Sequence, residues 1–162
     1  MAGQIVNQAQ TATPGTPVTV LHVNTTSQAT TGTSEEVLAT YTLPANTLSA
    51  NGKAIRVRAF GKHAANANVA TLQIRAGGIG GSVIATCTAS ISNGQWVMDV
   101  IYIRTGASAE IAGSLVFGSV GAGNALPGTQ NTANAIDIVV TGATPTSAGD
   151  VTFLGMIVEA LN

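Results

Sequence analysis

The chain has 162 residues, of which 8% are charged and 45% hydrophobic, and its formal net charge is −1 at pH 7. A nearly neutral chain with so few charges has no field that attracts nucleic acid or an anionic membrane, and its single cysteine excludes an intrachain disulfide framework. The length is that of one domain, and the many Val, Ile, Leu and Thr residues favour β-sheet over disorder. Such a low charge content is typical of a protein that functions as part of an assembly.

The segment 1–17 is a small, polar arm that contains two prolines and one apolar pair, Ile5 and Val6. Such a segment cannot order itself alone, so we divide the chain into a flexible arm over 1–17 and a single β-sandwich domain over 18–162. Two interpretations of the arm stay open: a frayed terminus, or a segment that docks on a neighbouring subunit through Ile5 and Val6. The arm lacks the basic and apolar regions of a signal peptide, so we expect synthesis in the cytoplasm.

Apolar and polar residues alternate with a period of two in nine segments, which predicts nine strands. The predicted strands are Val18–Asn24, Val37–Leu43, Ala54–His63, Val69–Ala76, Ser82–Ala89, Trp96–Arg104, Ala109–Phe117, Ala135–Thr141 and Asp150–Leu161. Pro44 and the dipeptides Asn51-Gly52 and Asn93-Gly94 mark turns between them. Since no segment shows helical periodicity, we predict an all-β fold, an antiparallel β-sandwich of about 8–9 strands.

Two of the predicted strands, Trp96–Arg104 and Asp150–Leu161, are apolar on both faces. A strand at the surface of a two-layer sandwich normally has one wet face. We therefore expect a homo-oligomer in which neighbouring subunits cover the second apolar face.

Residues that could support catalysis are few and scattered. His22, His63 and Cys87 lie on three different predicted strands, whereas a zinc site needs three or four converging ligands. The seven carboxylates are dispersed and no pair is predicted to face across a cleft. Cys87 alternates with apolar residues on one strand face, which indicates a buried thiol; a reactive or interchain cysteine is the alternative. We predict no catalytic, cofactor-binding or metal-binding residues, and hence no enzyme.

The sequence predicts the arrangement of one charged cluster, a basic ladder on the strand Ala54–His63. By strand parity Arg56, Arg58 and Lys62, with Phe60 among them, point to the same face of the sheet. The ladder is either an ordinary outer face, neutralised by a carboxylate on a neighbouring strand, or a contact face for an acidic partner. Nucleic-acid binding is disfavoured because the ladder is short.

The run from Tyr41 to Ile74, YTLPANTLSANGKAIRVRAFGKHAANANVATLQI, resembles a segment that recurs in structural proteins of tailed bacteriophages. The similar proteins are capsid decoration proteins, head fibres and tail-fibre heads, and the shared elements are TLPANTL, NG, IRVRAFG and AANAN. The resemblance implies a jelly-roll-like β-sandwich in a virion. It carries no catalytic residues and does not say which part of the virion is involved.

The resemblance implies a non-enzymatic virion structural protein. We expect a capsid decoration, cement or head-fibre subunit, with the major capsid protein or neighbouring virion subunits as partners and a homotrimer favoured by the resemblance. The candidate capsid or subunit contacts are Ile5, Val6, Arg56, Arg58 and Lys62. The alternative is a tail-fibre head or receptor-binding module that binds a glycan, which a 4% aromatic content disfavours. No cofactor, nucleic acid or membrane is expected, and the location is the virion, after synthesis in the host cytoplasm.

Overall fold

The computed structural model describes residues 18–90, 92–117, 126–144 and 146–162. The predicted arm with Ile5 and Val6 lies outside these ranges. Within them the backbone forms eleven β-strands and no helix, and accordingly no helix in the described part of the chain is long and apolar enough to cross a membrane.

The strands are β1 (Thr19–Asn24), β2 (Gln28–Ala29), β3 (Glu36–Leu43), β4 (Ala54–His63), β5 (Ala70–Ala76), β6 (Ser82–Ala89), β7 (Gln95–Gly106), β8 (Ala109–Phe117), β9 (Leu126–Gly128), β10 (Ile136–Ala143) and β11 (Val151–Ala160). The nine longer ones correspond to the nine predicted strands, and β2 and β9 are additional short strands.

The strands form two antiparallel sheets. The large sheet has the order β1-β11-β4-β7-β8-β9, with β2 also paired to β11, and the small sheet has the order β3-β10-β5-β6. The pairs are nested along the chain, because β1 pairs with β11, β3 with β10, β4 with β7 and β5 with β6. Nested pairs of this kind divided between two sheets are the jelly-roll arrangement. The predicted all-β sandwich is confirmed, and β8 and β9 extend the large sheet at one edge.

The core lies between the sheets and is built by alternate residues of each strand. On β4 the inward residues Ile55, Val57 and Ala59 are fully buried, as their alternation predicted. The larger fully buried side chains of the other strands include Leu72, Ile74, Ile84, Trp96, Met98, Tyr102, Ile138 and Phe153. Each contributes roughly 1.5–3 kcal/mol when removed from water. Cys87 also lies in this core with no exposed surface.

The turns follow the predicted chemistry. The strand β3 ends at Leu43, immediately before Pro44, which has no amide hydrogen for the ladder. Gly52 has φ = 86° and Asn93 has φ = 55°, the left-handed conformation that Gly and Asn tolerate best. Both turns carry the chain from the small sheet to the large sheet, one immediately before β4 and the other before β7.

A β-bulge in β11 changes which residues of this strand face the core. The register with β4 shifts between Phe153 and Gly155, so Met156 and Val158 face the core together with Phe153. Strict alternation places Phe153 on one face of the strand and Met156 and Val158 on the other, because a regular strand contains no extra residue of the kind that a bulge inserts. Leu154 is left on the outside with 37% of its surface exposed.

Candidate assembly surface on the large sheet

The basic ladder lies on the outward face of the large sheet, as parity predicted, and two of its members are neutralised across the sheet. Arg58 of β4 is directly opposite Asp99 of β7, and Arg56 lies on the same face two residues before Arg58. The Arg56 Nε donates to Asp99 Oδ1 at 2.8 Å and its Nη2 donates to Oδ2. The Arg58 Nη2 donates to the same Oδ2 at 2.6 Å. One carboxylate therefore holds two guanidinium groups, with a forked pair to Arg56.

The electrostatics of this cluster favour its ionised form. Hydrogen bonds from Arg56, followed by those from Arg58, hold the pKa of Asp99 below its usual range although burial acts in the opposite direction. The pKa of Arg56 is raised by Asp99 and, more weakly, by the charge of Glu159 on β11. Lys62 makes no ion pair with any described residue and lies opposite Gln95, at the far end of β4. The structure thus shows the cross-strand neutralisation for Arg56 and Arg58.

Apolar side chains surround the ion cluster on the same outward face. On β8, Ile111, Leu115 and Phe117 are 51%, 57% and 60% exposed, and on β7 Ile101 is 42% exposed. Residues that pair across an antiparallel ladder share a face, and the paired positions here are Phe117 with Val97, Leu115 with Asp99, and Ile111 with Ile103. The second apolar face predicted for Trp96–Arg104 is therefore real and continues onto β8.

A groove with a volume of about 690 Å³ runs over this part of the sheet. It is lined by Ile101, Ile103, Ile111, Ala112, Gly113, Ser114 and Leu115, together with Arg56 and Asp99. Gly113 opens the groove, because a Cβ added there would meet nothing within 4 Å. The sequence did not predict the groove, because its lining includes Arg56 of β4 beside the consecutive strands β7 and β8, and no local pattern encodes the adjacency of β4 and β7.

Phe60 extends the apolar surface towards β11. Its ring lies against the backbone of Gly155, where an added Cβ would be 2.5 Å from the Phe60 Cζ atom. The glycine therefore allows the ring to lie flat on the sheet. We define the assembly surface as the outward residues of β4, β7 and β8, from Phe60 and Phe117 at one end to Ile103 and Ile111 at the other.

A polar cluster at one end of the sandwich explains part of the phage-like segment. Asp150, 3% exposed, accepts hydrogen bonds from Asn66 Nδ2 and Asn68 Nδ2 at 2.7 Å and from Ser147 Oγ at 3.0 Å. Burial raises the pKa of Asp150, but these hydrogen bonds outweigh it and leave the pKa below its usual value. The carboxylate ties together the loops before β5 and β11, so AANAN has a structural role here. From the sequence, Asp150 was only one of seven scattered acids.

Two further carboxylates, Glu35 and Glu110, also have structural partners. Glu35 accepts hydrogen bonds from Arg75 and Thr141 on the small sheet. Glu110 is buried and accepts the amide hydrogen of Gln130; burial, together with this carboxylate, raises the pKa of the adjacent Tyr102. In the described ranges no group of three or more His, Cys, Asp or Glu residues could hold a metal ion.

The two histidines occupy packing positions. The ring of His22 stacks on Tyr41 with a centroid separation of 4.7 Å, which links β1 of the large sheet to β3 of the small sheet. His63 is buried, and its Nδ1 lies 3.0 Å from the carbonyl oxygen of Ala64. Both therefore close an edge or an end of the sandwich.

Comparisons with known proteins do not identify a family for this chain. No family model and no curated protein matches the chain. Among solved structures, the CBM2 module of the evolved Dit protein of Lactobacillus casei BL23 phage J-1 aligns with 76% of this chain and 69% of its own, with 8% identity and a TM-score of 0.38. A structure of infectious bursal disease virus, Gx strain, aligns with 99% of this chain and 46% of its own, with 13% identity and a TM-score of 0.26. The class of the protein is set by its own strand order, an all-β jelly roll.

Proposed function

We propose that this chain is a non-enzymatic structural protein of a tailed-bacteriophage virion, a capsid decoration, cement or head-fibre subunit that binds and stabilises the capsid surface. The observation that carries the proposal is the assembly surface, where large apolar side chains lie side by side on the outside of a folded domain. Contiguous exposed apolar surface of this kind marks a protein interaction site. The virion context comes from the resemblance of Tyr41–Ile74 to phage structural proteins.

Several residues that carry this resemblance shape the turns and the packing of the sandwich, whereas Arg56, Arg58 and Phe60 of the same segment lie on the assembly surface. Asn46 in TLPANTL has φ = 62°, and Gly52 in NG has φ = 86°. Gly61, which ends IRVRAFG, packs so closely that an added Cβ would lie 2.4 Å from the Trp96 ring. The resemblance therefore supports a shared scaffold, on which the outward faces determine what the protein contacts.

The alternative, a tail-fibre head or glycan-binding module, has less support. A sugar site places aromatic rings against the apolar face of the sugar, but Trp96 and Tyr102 are fully buried. Phe60 and Phe117 are the exposed aromatic rings among the described residues, and they lie on either side of Val97 across the sheet. We therefore rank glycan binding second.

The location of the chain on whole particles tests the proposal. Gold-labelled antibody against this chain should decorate the heads of the virions that contain it. Label at the tail tip would select the receptor-binding alternative, and absence of the chain from purified virions would contradict both.

Attachment to the capsid is proposed to use the arm over 1–17, which lies outside the described residues, with Ile5 and Val6 as apolar anchors. Ordering a segment costs about 1–2 kcal/mol per residue of backbone entropy, so each arm binds weakly and several arms of an oligomer, with a trimer favoured, act together. Deleting residues 2–15 should preserve the folded oligomer and weaken binding to undecorated capsids. Unchanged capsid affinity after the deletion would show that the arm is a frayed end.

A further inference from the structure

We infer that the assembly surface is covered by a second copy of this chain. The inference rests on the self-association in the proposed function, here as a two-fold contact in place of the favoured trimer, and is independent of the capsid role. It assigns the subunit contact to β4, β7 and β8, whereas the sequence indicated apolar faces on Trp96–Arg104 and Asp150–Leu161 without choosing between them.

The size of the surface is that of a small contact between folded domains. The three neighbouring strands β4, β7 and β8 are spaced by about 4.8 Å, and about nine residues of each at about 3.3 Å per residue cover a plane of roughly 430 Å². Side-chain relief adds accessible area to that plane. Two such faces together therefore bury roughly 860 Å² or more, which lies at the low end of specific protein interfaces.

The charge on this surface is largely compensated, which favours a partner without strong charge. Arg56 and Arg58 both form ion pairs with Asp99, and the charge of Glu159 on the adjacent strand β11 also acts on Arg56. An acidic partner would have to compete with Asp99 for both guanidinium groups. A second copy presents the same compensated cluster within an apolar surround, so two such faces meet with little repulsion.

The shape of the surface is compatible with self-association. An isologous contact requires a patch that is complementary to itself. Here the open groove over Gly113 lies beside the protruding side chains of Leu115 and Phe117 on the same strand. The arm over 1–17 is a poorer occupant, because Ile5 and Val6 are its large apolar side chains and they would cover a small part of this face.

The test is sedimentation analysis of the full-length protein and two matched glycine variants. Gly113→Glu places a charge in the groove at a position where an added Cβ meets nothing within 4 Å, so the fold should persist. Gly80→Glu is the control, because Gly80 is equally open but lies in the turn between β5 and β6. We expect a self-associating wild type, an unchanged control, and a dissociation constant raised by at least about tenfold in Gly113→Glu. Circular dichroism checks that all three proteins are folded, and Leu115→Glu provides a second probe of the same surface.

Each contrary outcome has a separate meaning. A wild-type monomer at micromolar concentration would overturn both this inference and the oligomer in the proposed function. An oligomer that both Gly113→Glu and Leu115→Glu leave intact would overturn this inference alone. Dissociation caused by deletion of residues 2–15, with the two groove variants unaffected, would identify the arm as the subunit contact. Antibody labelling of virions tests the capsid role independently of all these results.

Discussion

The two outward faces of the sandwich differ in chemistry although the strands beneath them are built alike. The small sheet presents mainly threonine, at positions 40, 42, 71, 86 and 88. The large sheet presents isoleucine, leucine and phenylalanine on β7 and β8. Within the strands of the small sheet, the exposed large apolar residue is Val37.

This difference shows which side chains the folded sandwich requires and which outward side chains it does not require. Threonine and the large apolar residues all favour strands, so either set satisfies the backbone. The sandwich needs apolar side chains only on its inward faces, and the small sheet shows that a polar outward face is sufficient. The apolar residues of the assembly surface are therefore best explained by a contact outside the domain.

The largest effect should come from giving the large sheet the surface chemistry of the small one. We expect Ile111→Thr, Leu115→Thr and Phe117→Thr together to weaken self-association by about 100-fold or more, because three large side chains no longer leave water in the contact. Light scattering after gel filtration measures the change, and circular dichroism should still show sheet. The reciprocal control Thr40→Val, Thr71→Val and Thr86→Val should not weaken association. If the Ile111, Leu115 and Phe117 variant associates like wild type, the apolar face is not a subunit contact.

A medium effect on stability is expected when the carboxylate of an ion cluster is removed, and it should be larger on the large sheet than on the small sheet. On the large sheet Asp99 neutralises both Arg56 and Arg58, whereas on the small sheet Glu35 pairs with Arg75. Asp99→Asn would leave two neighbouring guanidinium groups without their carboxylate, so we expect the free energy of unfolding to fall by about 1–2 kcal/mol after allowance for the partial exposure of both arginines. Glu35→Gln should cost less. Urea denaturation at pH 7 measures both, and an equal or larger loss for Glu35→Gln would contradict the comparison.

Local patterns predicted most of the sheet. Observed strands β4, β6 and β8 have the predicted bounds Ala54–His63, Ser82–Ala89 and Ala109–Phe117, because alternation and turn dipeptides are properties of neighbouring residues. The short strands β2 and β9 were missed, since two or three residues show no period and become strands only by pairing with β11 and β8. Bulges were missed for the same reason, because they are defined by the partner strand.

The candidate site was predictable only in part. Parity placed Arg56 and Arg58 on one face, but it could not name Asp99 as their partner, because the adjacency of β4 and β7 is a long-range property of the jelly roll. The closely spaced Asn66 and Asn68 were a sequence signal for the polar cluster around Asp150. Their target lies more than 80 residues away in the chain, so the sequence did not identify it.

The smallest effect concerns the pH dependence of the ion cluster on the large sheet. The pKa of Asp99 is lowered in the folded protein, first by Arg56 and then by Arg58, so folding is favoured by ionised Asp99. Its contribution is fully present above the unfolded pKa of about 3.9 and is lost as the pH falls through the lower folded pKa.

This sign predicts how the Asp99→Asn variant compares with wild type as the pH changes. The difference in the free energy of unfolding should shrink steadily between pH 5 and pH 2. The comparison is best made with Ile111→Thr, Leu115→Thr and Phe117→Thr also present, so that association does not contribute. Thermal unfolding at a series of pH values measures it, with Thr40→Val as a control whose difference from the same background should not vary with pH. A constant difference for Asp99→Asn would show that the cluster contributes no pH-dependent stability and acts on the assembly surface only through its shape and neutrality.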